Sequence, residues 1–329
     1  MSSTVSHTVT LEPSGDTFAV APGQRLLDAA REAGFWLPFE CGWGSCGTCK
    51  ATLVSGEIES LFPEAPAVSE RDARRGRILL CQSAALSDVS IRPLRVETAP
   101  LDGRWTRSYV GVVTSVLQVG PGIVDIRIET PAPVTFRPGQ FAIITGPRGV
   151  RRCYSLAGAP DTSALRFVLK QFGEMSAWLA SLAPGSRVAI EAPYGDMWIR
   201  PSGRDLLLIA GGTGISAILG LATEAAASHA DRRVTAIYGA RTPSDLVLLD
   251  ELREVAHAHG NAVVLALADS VGDGAAGIRE GRVTSVLDQV DLASCDVYLA
   301  GPPAMVDAVE SEVANRGVQR DRLFVDRFG

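Results

Sequence analysis

Three thiols fall within the ten residues from Cys41 to Lys50, CGWGSCGTCK, and a fourth, Cys81, follows thirty-two residues after the third. The spacing C-x4-C-x2-C with a distant fourth cysteine is that of four thiolates, Cys41, Cys46, Cys49 and Cys81, around a plant-type [2Fe–2S] cluster. Thiolates are soft and negative, which suits ferric iron and bridging sulfide, and Gly42, Gly44, Ser45 and Gly47 let the loop curl and aim backbone N–H groups at sulfur. The alternative is structural zinc, whose sites usually pair two C-x2-C-like knuckles; only one such pair is present here. A Rieske centre needs two histidines, and the first ninety-eight residues hold only His7. Glu40, Trp43 and Lys50 flank the loop, either as a rim that selects a partner or as a solvated edge. Cys153 and Cys295 have no thiol neighbours in sequence and read as buried spectators.

Two further groups of residues carry chemistry. In RRCYSLAG, Arg152, Tyr154 and Ser155 offer a guanidinium for phosphate, a ring to lie against an isoalloxazine and a hydroxyl for its polar edge, although an exposed Arg and Tyr on a strand is also an ordinary surface. Further on, GEMSAWL places Gly173, Met175 and Ser176 at the start of a helix, whose first N–H groups and dipole favour a pyrophosphate. In LLLIAGGTGIS an apolar strand runs into Gly211, Gly212, Thr213 and Gly214 and then a helix, as a nucleotide-binding turn does, without being a full G-x-G-x-x-G. YLAGPPAMVDAV repeats the logic with Gly301 and Pro302, and Pro303 suits a first helical position.

These groups need three kinds of scaffold. Residues 1–98 alternate short strands with the helix RLLDAAREAG around the cysteine loop, a small α+β unit, and a linker follows at 99–106, where Pro100, Asp102 and Gly103 supply turn chemistry. Residues 107–203 read as strands broken by turns at GPG and RPGQ, with one helix in MSAWLASLA, a spacing that suits an antiparallel β-barrel or a sandwich. Residues 204–329 alternate the apolar runs LLLIA, VTAIY, AVVLALA and VYLAG with helical stretches, which predicts a parallel α/β sheet covered on both faces. A length of 329 residues and 46% hydrophobic content allow each part its own core. The formal net charge of −6 argues against a nucleic-acid partner. No apolar run approaches the roughly 18 residues of a membrane helix and no secretory leader opens the chain, so a cytoplasmic protein without a membrane partner is expected. In such a compartment six cysteines are no argument for disulfides.

C-x4-C-x2-C with a distant Cys, then R-x-Y-S, G-x-M-S, G-G-T-G and G-P-P, in that order along essentially the whole chain, resembles the ferredoxin–NAD(P) reductase superfamily. More closely, it is similar to the iron–sulfur flavoprotein reductases that serve aromatic-ring-hydroxylating dioxygenases such as those for benzoate, naphthalene and carbazole. That resemblance implies an α+β ferredoxin domain of β-grasp fold, an antiparallel β-barrel that binds FAD and an α/β parallel-sheet nicotinamide-binding domain, with a role in aromatic hydrocarbon catabolism. It implies that Arg152, Tyr154 and Ser155 hold FAD with Gly173, Met175 and Ser176 on its pyrophosphate. Gly211, Gly212, Thr213 and Gly214 would hold NADH, Gly301 and Pro302 would bound the nicotinamide pocket, and Phe328 would cover the flavin, so that Ser155 and Phe328 flank the hydride. Ser216 and Ala217 stand where many relatives have Ala-Pro, and Ala300 stands where many have Cys, so no thiol is expected beside the hydride.

The function implied is electron transfer from NADH through FAD to the cluster, and on to a terminal oxygenase component or a separate ferredoxin. Rival readings are a reductase for a soluble diiron monooxygenase or another multicomponent system, and a non-catalytic redox carrier or sensor; the intact R-x-Y-S and G-G-T-G elements count against the last. For the nucleotide, Arg241 after the strand ending at Tyr238 is a single cation, followed by Asp245 and Asp250, whose carboxylates would repel a 2′-phosphate. Thr242 and Ser244 add only hydroxyls, and relatives with a similar Y-G-x-R segment mostly use NADH, so NADH is expected over NADPH.

Overall fold

The computed structural model describes residues 6–39, 42, 44, 46–94, 106–229, 231–258, 262–267 and 278–328. The chain divides into two compact units, residues 1–106 with 151–153, and residues 107–150 with 154–329. In the first, β1 (His7–Leu11), β2 (Asp16–Val20), helix α1 (Leu26–Glu32), β3 (Lys50–Ser55), β4 (Ile58–Ser60), helix α2 (Glu70–Arg74), β5 (Arg77–Leu79), β6 (Ser83–Ala85) and β7 (Val89–Pro93) follow one another. The main sheet runs β2-β1-β7-β3-β5, parallel only between β1 and β7, and β4 pairs with β6 apart from it. Leu26, Leu27, Ala29 and Ala30 are buried on α1, the face that the 3.6-residue period sets toward the sheet. The cysteine loop thus leaves α1 and enters β3, and Cys81 follows β5.

Next along the chain come strands β8 (Arg107–Gly120), β9 (Ile123–Val134), β10 (Phe141–Thr145), β11 (Arg151–Ser155), β12 (Thr162–Lys170), helix α3 (Glu174–Ala180) and β13 (Arg187–Tyr194), all in the second unit save residues 151–153 of β11. Their sheet runs β11-β10-β13-β8-β9-β12, with antiparallel pairing from β10 through to β12, around Ile126, Ile128, Phe136, Ile144 and Phe167.

The remainder alternates β14 (Asp205–Gly211), α4 (Ile215–Ser228), β15 (Val234–Ala240), α5 (Leu249–Ala258), β16 (Ala262–Leu267), β17 (Ile278–Glu280), β18 (Cys295–Gly301), α6 (Pro303–Asn315) and β19 (Leu323–Arg327). All neighbours in the order β17-β16-β15-β14-β18-β19 are parallel. The unbroken apolar run of β14 now has its reason. Leu206, Leu208 and Ala210 face the cluster that holds α4 and Leu252 of α5, while Leu207 and Ile209 face α6 through Val306, Val309 and Val313, so both faces of a period-two strand are covered. The loop expected after the strand that ends at Tyr238 is short, since the second half of DLVLLDEL already opens α5. The sequence reading passed over β19, the strand that delivers the chain's last residues to the sheet. Among the described residues no helix is long and apolar enough to cross a membrane.

Where the barrel hands over to the α/β sheet, a buried charge pair fixes the connection. Arg232 and Asp296 are each almost wholly buried and meet at 3.1 Å. Arg232 also donates to the Arg200 carbonyl at 3.0 Å, to Ser202 Oγ at 3.1 Å and to the Arg204 carbonyl, while Ser202 Oγ donates to Asp296. Each charge is therefore desolvated but saturated with partners. Removing one strands the other, which costs about 3–5 kcal/mol. Asp296→Ala is expected to lower the denaturant midpoint of this unit by an equivalent amount; a shift within about 0.5 kcal/mol, the scale of an ordinary surface substitution, would mean that Arg232 re-solvates freely.

Candidate functional site

Cys41, with its neighbours Glu40 and Trp43, lies outside the described residues, and the described residues gather no set of three or more His, Cys, Asp or Glu side chains at ligating range. What they show is the other side of the loop. Cys49 Sγ and Cys81 Sγ, buried, lie 3.2 Å apart, and Cys46, exposed, accepts the Thr48 N–H at 3.4 Å. Gln82 donates to the Gly42 carbonyl at 3.0 Å, and the Ala67 amide to the Gly44 carbonyl at 3.1 Å. Gly44 is at φ +99°, and a Cβ there would lie 3.0 Å from the Ala65 methyl, so both backbone and space require glycine. Arg31 sits over the rings of Trp36 at 5.1 Å and Phe39 at 4.7 Å, fixing the stretch that leads into the loop. A soft donor pair, an N–H aimed at sulfur and a tightly curled loop suit an iron–sulfur group held by Cys46, Cys49 and Cys81 with Cys41.

Lys50, the residue after Cys49, turns back over the loop: its ammonium lies 3.0 Å from Asp72 Oδ2, and a Cβ on Gly47 would lie 3.5 Å from Nζ. Hydrogen bonds from Lys50 and from Ser69 pull the Asp72 carboxyl down to about 2, so this carboxylate stays ionised at neutral pH. Lys50 is thus tied down by a partner 22 residues away, which its place beside the cysteines did not reveal.

On β11, Arg152 is exposed with Nη1 donating to the Arg151 carbonyl at 2.8 Å, and Tyr154 is half-buried against the barrel core. Gly173 precedes α3 at φ +84° with nothing within 4 Å of a Cβ, an open approach for a pyrophosphate. Ser176 turns inward: its buried hydroxyl accepts from the Phe172 amide at 2.7 Å and lies 2.8 Å from the Phe172 carbonyl, bracing the turn. Met175 is buried in the barrel core against Gly146, so only its backbone belongs to the helix start.

Ser155 Oγ donates to Asp326 Oδ2 at 2.9 Å across 171 residues. Asp326 lies on β19, and the next residue but one, Phe328, donates its amide to the Gly301 carbonyl at 3.2 Å while packing half-buried against the α/β core. Asp326 was absent from the sequence reading; the signal available was its place two residues before the terminal aromatic.

β14 is central, with β15 on one side and β18 on the other, so the strand order reverses there and a crevice opens beyond the carboxyl ends. Gly211 to Gly214 lie at one lip and Gly301, Pro302 and Pro303 at the other, with Ala210 level with Ala300. A Cβ on Gly214 would be 2.1 Å from the Ala300 carbonyl oxygen, whereas at Gly212 it would meet nothing within 4 Å, leaving that face open to a ligand. Tyr238 steadies the turn from below. Its buried hydroxyl lies 3.2 Å from the Gly212 carbonyl and 3.1 Å from that of Val247, and desolvation pushes the phenol well above its ordinary range. Beyond it, Arg241 is exposed. Asp245 is no unpaired carboxylate: it accepts from the Thr242 hydroxyl at 2.8 Å and amide at 3.2 Å as a helix-start cap, and Asp250 points to solvent near Arg253 at 3.8 Å. The repulsion expected of these two acids is therefore not what the loop is built on.

Residues 9–86 match the 2Fe-2S iron-sulfur cluster binding domain, and residues 208–311 the oxidoreductase NAD-binding domain. The chain is 35% identical to the ferredoxin–NAD(P)(+) reductase CarAd of Metapseudomonas resinovorans, over 93% of this chain and 95% of that protein. It is 34% identical to the ferredoxin–NAD(+) reductase component of the alkene monooxygenase system of Xanthobacter autotrophicus, over 95% and 98%. Among solved structures, the ferredoxin reductase in carbazole 1,9a-dioxygenase superposes with a TM-score of 0.86 at 30% identity, covering 99% of each chain.

The Ser155–Asp326 bond joins the barrel strand to the sheet edge that carries Phe328. A hydrogen bond to a charged group is worth about 1.5–3 kcal/mol, so Asp326→Ala is expected to slow reduction of bound flavin by NADH about ten- to a hundredfold with FAD content unchanged. An unaltered rate in single-turnover mixing would reduce the pair to a structural tie.

Proposed function

This chain belongs to the ferredoxin–NAD(P) reductase components of multicomponent oxygenases, and on that premise we propose that it takes electrons from NADH and delivers them singly to the oxygenase, or an intervening ferredoxin, of an aromatic-ring-hydroxylating dioxygenase. The observation that carries the reading is the Ser155–Asp326 bond, which sets the R-x-Y-S strand against the edge where the G-G-T-G and G-P-P turns meet. When bound, FAD accepts the two electrons of a hydride together and releases them one at a time, as a two-iron cluster requires.

The chain's own residues position the reactants. Arg152 lies on β11 for a phosphate, Tyr154 for the isoalloxazine and Ser155 for its polar edge, while Gly173 leaves room for the pyrophosphate. Gly211 to Gly214 would receive the nucleotide at the crevice with Gly301 and Pro302 bounding it, and Phe328 would shield the flavin ring on the side where nicotinamide stacks. Electrons leave through the thiolate loop. Residues 1–98, 107–203 and 204–329, with the linker at 99–106, divide this labour as ferredoxin, flavin and nucleotide domains.

Cys81→Ser is expected to lose iron and labile sulfide, about two of each per chain in the parent, while keeping FAD and the ability to reduce ferricyanide from flavin. Transfer to a genomically neighbouring oxygenase should collapse. Equal loss of both activities would show that the cluster is not the exit, and an oxygenated product from an alkene rather than an aromatic ring would assign the chain to the monooxygenase branch.

NADH is favoured because, among the described residues, no phosphate site is assembled after β15. Arg241 stands alone, and the Thr242 and Ser244 hydroxyls lie 2.9 Å from each other, with Thr242 also committed to Asp245. The measurement is the ratio of kcat/KM for NADH and NADPH at one ionic strength; a ratio favouring NADPH would recast Arg241 as a phosphate ligand.

A further inference from the structure

Four arginines, Arg71, Arg74, Arg75 and Arg77, fall within seven residues of a chain whose formal net charge is −6. Arg71, Arg74 and Arg75 are exposed. Arg74 approaches Glu70 at 3.6 Å with both side chains in solvent, where such a pair is worth little, and among the described residues Arg71 and Arg75 have no ionic or hydrogen-bonding partner. These cations add nothing to the fold that the structure reveals.

Their position is fixed relative to the thiols. Ser69 and Asp72 cap α2 reciprocally, and the same Asp72 oxygen holds Lys50, whose stem lies over Gly47, the residue after Cys46. A Cβ on Gly47 would also be 3.4 Å from the Ala67 methyl, so the segment leading into α2 touches the loop itself. At the other end, Gly76 leads straight into β5, and the Leu80 amide donates to the Cys49 carbonyl at 3.1 Å, one residue before Cys81. The helix of five residues is thus tied to the loop through Asp72 and Lys50, while at its far end the Gly76 carbonyl accepts the Leu53 amide at 2.9 Å and the chain returns to the thiols along β5. Of the three described thiols of the cluster loop, the exposed one is Cys46, on the side Lys50 and Ala67 approach.

We propose that Arg71, Arg74 and Arg75, beside the Cys46 edge, form the docking surface for the electron acceptor, and that the acceptor presents an acidic face to it. The proposal rests on the reading that electrons leave through the cysteine loop. An acidic protein approaching a chain of net charge −6 is repelled by most of its surface and attracted here, so the collar raises the encounter rate and also selects the one orientation that brings the acceptor to the thiolates. Each NADH oxidised to NAD+ and a proton supplies two electrons, so two successive one-electron acceptors must dock and leave. Steering by exposed charge suits such brief encounters, because it speeds arrival without burying a large surface.

The test follows NADH-driven reduction of two one-electron protein probes, the acidic soluble domain of cytochrome b5 and the basic cytochrome c, by the full chain. Arg71→Glu/Arg74→Glu/Arg75→Glu is compared with Arg187→Glu/Arg253→Glu/Arg282→Glu, which changes the net charge equally but lies in the second unit. At low salt the collar variant should reduce cytochrome b5 about tenfold more slowly than the parent and cytochrome c faster, with unchanged iron content and flavin-to-ferricyanide activity. The control variant should do neither, and the difference should vanish in about 1 M KCl, where the Debye length is about 3 Å. Equal effects of the two variants, or none, would overturn the collar. Cytochrome reduction untouched by Cys81→Ser would instead overturn the exit through the loop, and the two failures are thereby distinguished.

Discussion

At the carboxyl ends of β14 and β18 the backbones come closer than any side chain allows, and the nucleotide-handling half of the molecule is arranged around that approach. A Cβ on Gly214 would collide with the Ala300 carbonyl at 2.1 Å, and one on Gly301 would lie 3.3 Å from the backbone of Gly211. Because both lips of the crevice are bare backbone, α4 begins directly over the neighbouring strand, and a flat ligand can lie across the reversal of strand order. β19 pairs with β18 in register, Asp326 opposite Ala300 and Arg327 opposite Gly301, which sets Asp326 and Phe328 at the same edge. The bond from Ser155 to Asp326 then follows from where the strands end.

That arrangement depends on the barrel keeping its place against the sheet, and polar ties do much of this. Arg166 on β12 meets Asp125 on β9 at 2.7 Å and grips Glu251 on α5 with two nitrogens, at 2.7 and 2.8 Å. The hydrogen bonds from Arg166 hold the Glu251 carboxyl below its ordinary range, so this clasp is intact above that range and is lost as pH falls through the lowered value. Ser216, which stands where many relatives have alanine, is buried and donates to the Val168 carbonyl at 3.1 Å, binding the start of α4 to β12. Directional bonds of this kind fix angle and register, which apolar packing alone leaves freer.

The glycine turns and the alternation of strand and helix were legible because each is local, and the cysteine spacing is a local signal of the same kind. Ligation geometry dictates the cysteine spacing, and a strand buried on both faces must be apolar throughout. Asp326, the Lys50–Asp72 tie and the bracing role of Ser176 were not legible, for reasons of distance and commitment. Asp326 and Ser155 are 171 residues apart, and nothing in either neighbourhood announces the other. Ser176 looked like a free hydroxyl at a helix start, yet the turn before it consumes both its donor and its acceptor. Met175 was read with its neighbours as part of a cofactor motif, and its apolar side chain went to the core, as burial energetics favour.

The loop after β15 shows how much such commitments matter to a specificity argument. Counting charges along ARTPSDLVLLD suggests two acids, Asp245 and Asp250, that repel a phosphate. In the fold, Asp245 is satisfied by the Thr242 amide and hydroxyl, and Asp250 belongs to the solvent face of α5 with Arg253 nearby. A carboxylate already holding two hydrogen bonds within its own turn is fixed there, and Asp250 is 94% exposed and screened. Selectivity therefore rests on what is not gathered around Arg241. A single exposed guanidinium gains little from a phosphate unless hydroxyls and amides share the load, and here the two hydroxyls of the loop are bonded to each other.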